Sequence, residues 1–155
     1  MSVRRRVALL IETSRAYARG LVRGVAQYVR EHGHWTIDFT PRGLSDPPPL
    51  WLRGWQGDGI LARINDHRMA EAVLKTGASV VDLRRVLPDL DVPTVGPDDR
   101  AVAQLAWEHF LEHGFRHFAV CGMPRGLQPP MDRRQDYFQQ IAHSYGVQCE
   151  TFCLR

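Results

Sequence analysis

Three short stretches of this sequence place groups able to hold a polar ligand directly after apolar runs. The first, Glu12-Thr13-Ser14-Arg15-Ala16-Tyr17-Ala18-Arg19, supplies two hydroxyls, two guanidinium groups and a phenol, and it opens a helical stretch whose first amides attract polar oxygens. Arginine donates in a fork, hydroxyls donate and accept, and tyrosine offers an aromatic face, a set suited to a polyhydroxylated ligand. Thr13 or Ser14 serves equally well as an ordinary helix cap. The second stretch, Ala62-Arg63-Ile64-Asn65-Asp66, offers Arg63 or Asp66, although Asn65 or Asp66 is also a plain cap for the helix that follows. In the third, Gly96-Pro97-Asp98-Asp99, one aspartate caps a helix and the other is left to accept from a ligand.

Other chemistry has less support. No Gly-x-Gly-x-x-Gly or Walker lysine motif is present, so no nucleotide cofactor is expected. His109, His113 and His117 recur every four residues, but Gly114 ends the helix before His117, and solvated helix-end histidines are expected rather than a metal site. Cys149 and Cys153 share one face of a strand, an arrangement read as packing. Trp51 and Trp55 read as core residues of a short helix. No Gly-x-Ser-x-Gly elbow or other nucleophile with a base is found, so the chain is not expected to be an enzyme.

The elements that must position these groups alternate. Val7–Ile11 is a short apolar run, as in a strand buried on both faces. Leu21, Val22, Val25, Ala26 and Val29 recur at helical spacing, predicting a helix over 16–31 that stops at Gly33. Trp35–Phe39 reads as a second strand, and Pro47-Pro48-Pro49 opens a short helix. Ile60–Ile64 is a third strand, with a helix carrying Met69, Ala70, Val73 and Leu74 after it and a stop at Gly77. Val80–Leu83 and Pro93–Val95 are a fourth and a short fifth strand. Val102, Leu105, Ala106, Phe110 and Leu111 predict one buried face on a helix over 99–113 that Gly114 ends. Phe118–Cys121, a helix over 132–144 and a strand over Cys149–Leu154 complete a βαβ pattern, implying a doubly wound α/β fold with a parallel sheet.

The 155 residues are 44% hydrophobic and 24% charged, ordinary for a globular protein, and length alone suggests one domain. No stretch approaches the roughly 20 apolar residues of a membrane span. Arg4-Arg5-Arg6 is followed by too short an apolar run for a signal peptide, so a cytoplasmic location and no membrane partner are expected. Three cysteines without framework spacing are expected to be reduced and mostly buried. The net charge of +3 comes almost wholly from scattered arginines, Lys75 being the only lysine, which reads as a solvated surface rather than a nucleic-acid footprint.

The run Ser14 to Tyr28, with Pro41-Arg42-Gly43, Trp51-Leu52-x-x-Trp55-x-Gly57-Asp58-Gly59-Ile60 and Ala62-Arg63-Ile64, resembles the opening of the xylose operon regulators. Val95-Gly96-Pro97-Asp98-Asp99, His109, Gly114-Phe115-Arg116-His117-Phe118-Ala119 and Gly122 look like the wider LacI/GalR, periplasmic-binding-protein-like superfamily. The resemblance implies a type I periplasmic-binding-protein-like fold, with residues 1–114 as a first lobe plus crossing helix and 115–155 as the start of a truncated second lobe. It also implies a sugar such as xylose held in the cleft between lobes, a homodimer formed through the effector domain, and DNA bound only through a C-terminal AraC-type helix-turn-helix module absent from this chain. Ligand contacts carried over fall on Thr13, Ser14, Asp98 and Arg134, the last two on opposite sides of the hinge. Tyr17, Arg19 and Arg63 join them from the turns described above.

The sequence departs from the family pattern at Tyr137, where a small residue is usual, at Ala18 in place of glycine, and at Asp99 in place of asparagine. A lone piece of the second lobe would leave its last strand uncovered and is expected to bind sugar weakly or not at all. Two rival readings are a small-molecule enzyme on the same fold and a receiver-like interaction domain. The second lacks the acidic cluster expected after the first strand, where only Glu12 stands.

Overall fold

A computed structural model describes residues 4–43 and 45–153. The chain divides into two compact units, Met1–Gly96 and Pro97–Arg155. The boundary lies ahead of the 99–113 helix rather than after it, as the grouping of residues 1–114 supposed. The reason is packing: that helix buries Ala103 and Trp107 against Phe118, Phe138 and Ala142, all of the second unit.

Unit 1 is a four-stranded parallel sheet in the order β2-β1-β3-β4, with β1 at Arg5–Leu10, β2 at Trp35–Phe39, β3 at Gly59–Ala62 and β4 at Ser79–Asp82. Because side chains alternate along a strand, β1 serves both faces of the sheet. Val7, Leu9 and Ile11 pack with Ala18, Leu21, Val22 and Val25 of helix α1 (Ala16–His32). Ala8 and Leu10 pack with Leu52 and Trp55, and with Met69, Ala70 and Val73 of helix α2 (His67–Leu74). Layers on both faces make the sheet doubly wound, in agreement with the near-continuous apolar runs of its strands. Gly33 closes α1 at φ 65°, a left-handed conformation that glycine adopts without penalty, and its amide donates to the Val29 carbonyl at 2.9 Å.

Several local expectations change. Leu50–Gly54 forms a single 3-10 turn, from which Leu52 joins the core with Trp55 just beyond it, while Trp51 stays 37% exposed. Residues 93–95 contribute one bridge, Thr94 to Asp82, rather than a strand, because Pro93 cannot donate to a ladder.

Unit 2 is a βαβ arrangement. Strand β5 (Phe118–Gly122) pairs in parallel with β6 (Cys149–Cys153) in the register Phe118↔Cys149, and helix α4 (Pro129–Ser144) connects them. Leu154, placed in the last strand by the sequence pattern, lies outside the described residues. Helix α3 (Asp99–Glu112) packs on α4. Its buried face is Ala103 and Trp107, with Ala106 and Leu111 half-covered, whereas Val102, Leu105 and Phe110 are exposed. The helix is apolar on more than one side, so periodicity alone could not choose the face that α4 covers. The cysteines also differ from expectation: Cys121 and Cys153 are exposed and Cys149 half-buried, all free thiols. Two-stranded pairing leaves one edge of each strand without a neighbour among the described residues. No described helix is long and apolar enough to cross a membrane.

Candidate functional site

In unit 1 the chain order reverses between β1 and β3, so the crevice beyond their carboxyl ends is a topological switch point, where open α/β sheets bind ligands. Glu12 leaves β1 and Arg63 leaves β3 at that point, tied by the bond from the Arg63 amide to the Leu10 carbonyl at 2.9 Å. The Arg63 guanidinium donates from Nη1 to Glu12 Oε1. The pair is enclosed: the Glu12 side chain is 1% exposed and that of Arg63 11%. Glu12 Oε2 and Arg63 Nε are both buried and have no hydrogen-bond partner. Buried polar groups are seldom left unpaired, so such atoms at a crevice point to a missing polar partner.

The other groups gather around this pair. The Arg63 guanidinium lies over the Tyr17 ring, 5.4 Å from its centroid, a cation–π contact that orients both side chains. Arg84, two residues beyond β4, donates from Nη1 to Asn65 Oδ1. Burial, and next the nearby positive charge of Arg63, push the Arg84 guanidinium below its usual pKa. Arg42 is a strut: its Nη2 donates to the Asp46 and Pro47 carbonyls at 2.6 and 3.1 Å, and its own carbonyl accepts from the Thr13 amide at 3.1 Å. Burial holds Arg42 below its usual pKa too, opposed by Asp46, Glu12 and Asp66. Asp82 is buried and structural, accepting from the amides of Ile64, Arg84 and Arg85 at 3.2, 2.9 and 2.8 Å.

The residues singled out from sequence fall into two groups. Thr13, Tyr17, Arg19 and Arg63 lie together at this end of the sheet. Arg19 Nη1 donates to the Thr13 carbonyl at 2.9 Å, which makes Arg19 a brace for the turn. Ser14 is exposed beside them. Neither Thr13 nor Ser14 caps α1, whose N-cap is Arg15 with no side-chain hydrogen bond. Asp66 does cap α2, accepting from the Met69 amide at 2.8 Å.

Asp98 and Arg134 both belong to unit 2 rather than to opposite sides of a hinge. Asp98 Oδ1 accepts from the amides of Arg100 and Ala101 at 2.9 and 3.0 Å, so Asp98 is the cap of α3. Asp99 is the aspartate with the other task. Its two oxygens accept from Arg133 Nε and Arg134 Nε, each at 2.8 Å, which clamps the start of α3 to α4. Arg134 therefore has a carboxylate partner already.

Sequence reasoning passed over Glu12 and Arg84 as site residues, and left open which of Asp98 and Asp99 is the cap. For Glu12 the signal was present: a lone acid directly after an apolar strand has no solvent face and needs a cationic partner.

The arrangement offers hydrogen-bond donors in forks, an unpaired buried acceptor and an aromatic face, with no nucleophile set against a base among the described residues. Among the described residues no group of three His, Cys, Asp or Glu side chains is placed to hold a metal.

Among solved structures, the chain is similar to that of a xylose-binding transcription activator, at TM-score 0.77 and 22% identity over 96% of this chain and 38% of the other. It is also similar to the transcription regulator CcpA of Lactococcus lactis, at TM-score 0.75 and 15% identity over 96% of this chain and 58% of the other. A third is a periplasmic binding protein/LacI transcriptional regulator from Alkaliphilus metalliredigens complexed with D-xylulofuranose, at TM-score 0.66 and 13% identity over 97% and 56%. These likenesses establish a periplasmic-binding-protein-like α/β fold. Of curated proteins, the xylose operon regulatory protein of Escherichia coli K12 is 27% identical over 89% of this chain, which spans 36% of that protein's length. The family model described as the XylR N-terminal domain matches residues 6–96, more than half of the chain. The chain thus belongs to the XylR N-terminal domain family.

Proposed function

We propose that this chain is the sugar-sensing effector part of a transcription regulator, and that the cluster around Glu12, Arg63 and Tyr17 holds a pentose such as xylose. One observation carries the reading: Glu12 Oε2 and Arg63 Nε, an acceptor and a donor, are buried without partners at the switch point. A sugar hydroxyl both donates and accepts, so one hydroxyl can satisfy either atom, and the exposed ring of Tyr17 offers its face to the sugar's C–H groups. Thr13 and Ser14 line the approach, with Arg19 bracing them. Asp98 and Arg134 are the contacts proposed for unit 2, the one from a helix cap and the other from beside Asp99. The names of the relatives support sensing of a sugar by a transcription regulator.

On this reading the chain acts in the cytoplasm as a homodimer, and DNA is contacted through a helix-turn-helix module outside these residues. Sugar must favour one of two states of the regulator, with a coupling of about 1–3 kcal/mol, to change its hold on DNA. The test is an NMR titration of the chain with D-xylose. Millimolar xylose is expected to shift the amides of Thr13, Ser14, Ala16 and Tyr17, and Arg63→Ala to abolish those shifts. Shifts in this turn that persist unchanged in Arg63→Ala would refute the site.

A further inference from the structure

Arg42 has a second feature beside its role as a strut. Its Nη2 is fixed by the Asp46 and Pro47 carbonyls, at 2.6 and 3.1 Å, yet its Nη1 is buried with no hydrogen-bond partner. A guanidinium is planar, so fixing one nitrogen fixes the other, and Nη1 is a donor held in place before anything arrives. The nearby acids are turned to backbone amides: Asp46 Oδ2 accepts from Gly43 at 2.6 Å and Asp66 Oδ1 from Met69 at 2.8 Å. Backbone contacts put the donor beside the Glu12–Arg63 pair. The Arg42 carbonyl accepts from the amide of Thr13, the residue after Glu12, and the Arg63 amide donates to the Leu10 carbonyl, two residues before Glu12. Burial lowers the Arg42 pKa, and the carboxylates that oppose this are Asp46, then Glu12 and Asp66. The guanidinium therefore feels acids of both turns, the one after β1 and the one after β3.

Three buried polar atoms at this end of the sheet thus lack partners: Glu12 Oε2, which must accept, and Arg63 Nε and Arg42 Nη1, which must donate. Leaving such groups unpaired is costly, and a neutral polyol supplies both kinds of partner. Three carboxylates already act on the charge of Arg42, so Nη1 lacks an acceptor and not a counter-charge, and a hydroxyl oxygen suffices. We propose that Arg42 is a third sugar contact in unit 1, its Nη1 donating to one hydroxyl and so selecting sugars that carry it.

This inference rests on the unit 1 cluster being the sugar site, and the experiment separates the two. The full chain is titrated by NMR with D-xylose and with analogues lacking one hydroxyl each, following the amides of Thr13 and Tyr17 and the guanidinium signals of Arg42. One analogue is expected to bind about tenfold more weakly than xylose, the loss of one charge-assisted contact. Arg42→Lys is expected to weaken xylose by a similar factor and to leave it no better bound than that analogue. Such non-additivity marks a direct contact. A strut alone would weaken every sugar equally and keep the analogue's penalty, which overturns the inference. The unmodified chain gives a second reading that needs no variant: xylose is expected to move the Arg42 guanidinium signals and the weak analogue to leave them in place. Thr13 and Tyr17 responding to xylose while Arg42 stays unmoved overturns the inference and leaves the sugar site standing. Turn shifts that persist unchanged in Arg63→Ala remove the site and the inference with it.

Discussion

The carboxylate of Glu12 and the guanidinium of Arg63, 51 residues apart in the chain, meet across the gap between β1 and β3 with almost no solvent around either. This contact ties the two central strands of unit 1 where the polypeptide changes direction across the sheet. It also fixes Arg63 over Tyr17.

Removing one member of an enclosed ion pair strands the other. Glu12→Ala is therefore expected to lower the stability of the chain by about 3 kcal/mol, read as a shift in the urea midpoint. The exposed pair Arg6–Asp38, 2.8 Å long, gives the contrast: Asp38→Ala is expected to move the midpoint far less. Equal losses would show that the Glu12 pair is not enclosed.

In unit 2, Asp99 accepts from two arginines, so the three substitutions cannot be additive. Asp99→Ala removes the acceptor that Arg133 and Arg134 share and is expected to cost about 2–3 kcal/mol, more than either arginine replaced alone. In a full-length regulator Arg134→Ala is expected to abolish the response to sugar with the fold retained. Unchanged induction would remove Arg134 from the site.

Arg125 donates to both oxygens of Asp136, at 2.9 and 2.5 Å, and this hydrogen bonding holds the Asp136 carboxyl below its usual pKa. A depressed folded-state pKa means the pair stabilises the chain above the unfolded carboxylate value. That contribution fades as pH falls through the lower folded value. Carbon-detected NMR titration of Asp136 is expected to show its pKa rising in Arg125→Gln. An unmoved titration would mean the pair is not formed in solution.

Two glycines make opposite predictions. A Cβ on Gly57 would stand 2.1 Å from the Trp55 ring and 2.8 Å from the Arg6 carbonyl oxygen, neither of which can retreat easily. A Cβ on Gly122 meets only the end of the Gln135 side chain, which can turn away. Gly57→Ala is expected to lower the thermal midpoint by a cost of about 1–3 kcal/mol, and Gly122→Ala to leave it nearly unchanged.

What the sequence by itself determined is local and periodic. The apolar run at β1, the helical spacing in α1 and α2, the stop at Gly33 and the presence of a cap at Asn65 or Asp66 and at one of Asp98 and Asp99 depend on residues within a few positions of each other. Such interactions survive in any context, so they can be read without knowing the fold. Separated motifs in the right order identified the family for the same reason.

Tertiary structure decided which of the scattered charges are partners. The link from Glu12 to Arg63 exists only once β1 and β3 are neighbours, and Asp99 reaches Arg133 and Arg134 only once α3 lies on α4. It also chose Ala103 and Trp107 over Val102, Leu105 and Phe110 as the buried face of α3. A helix apolar on several sides has no preferred face until another element covers one. Likewise, an arginine among many has no assigned partner until strand order brings a carboxylate out of water beside it.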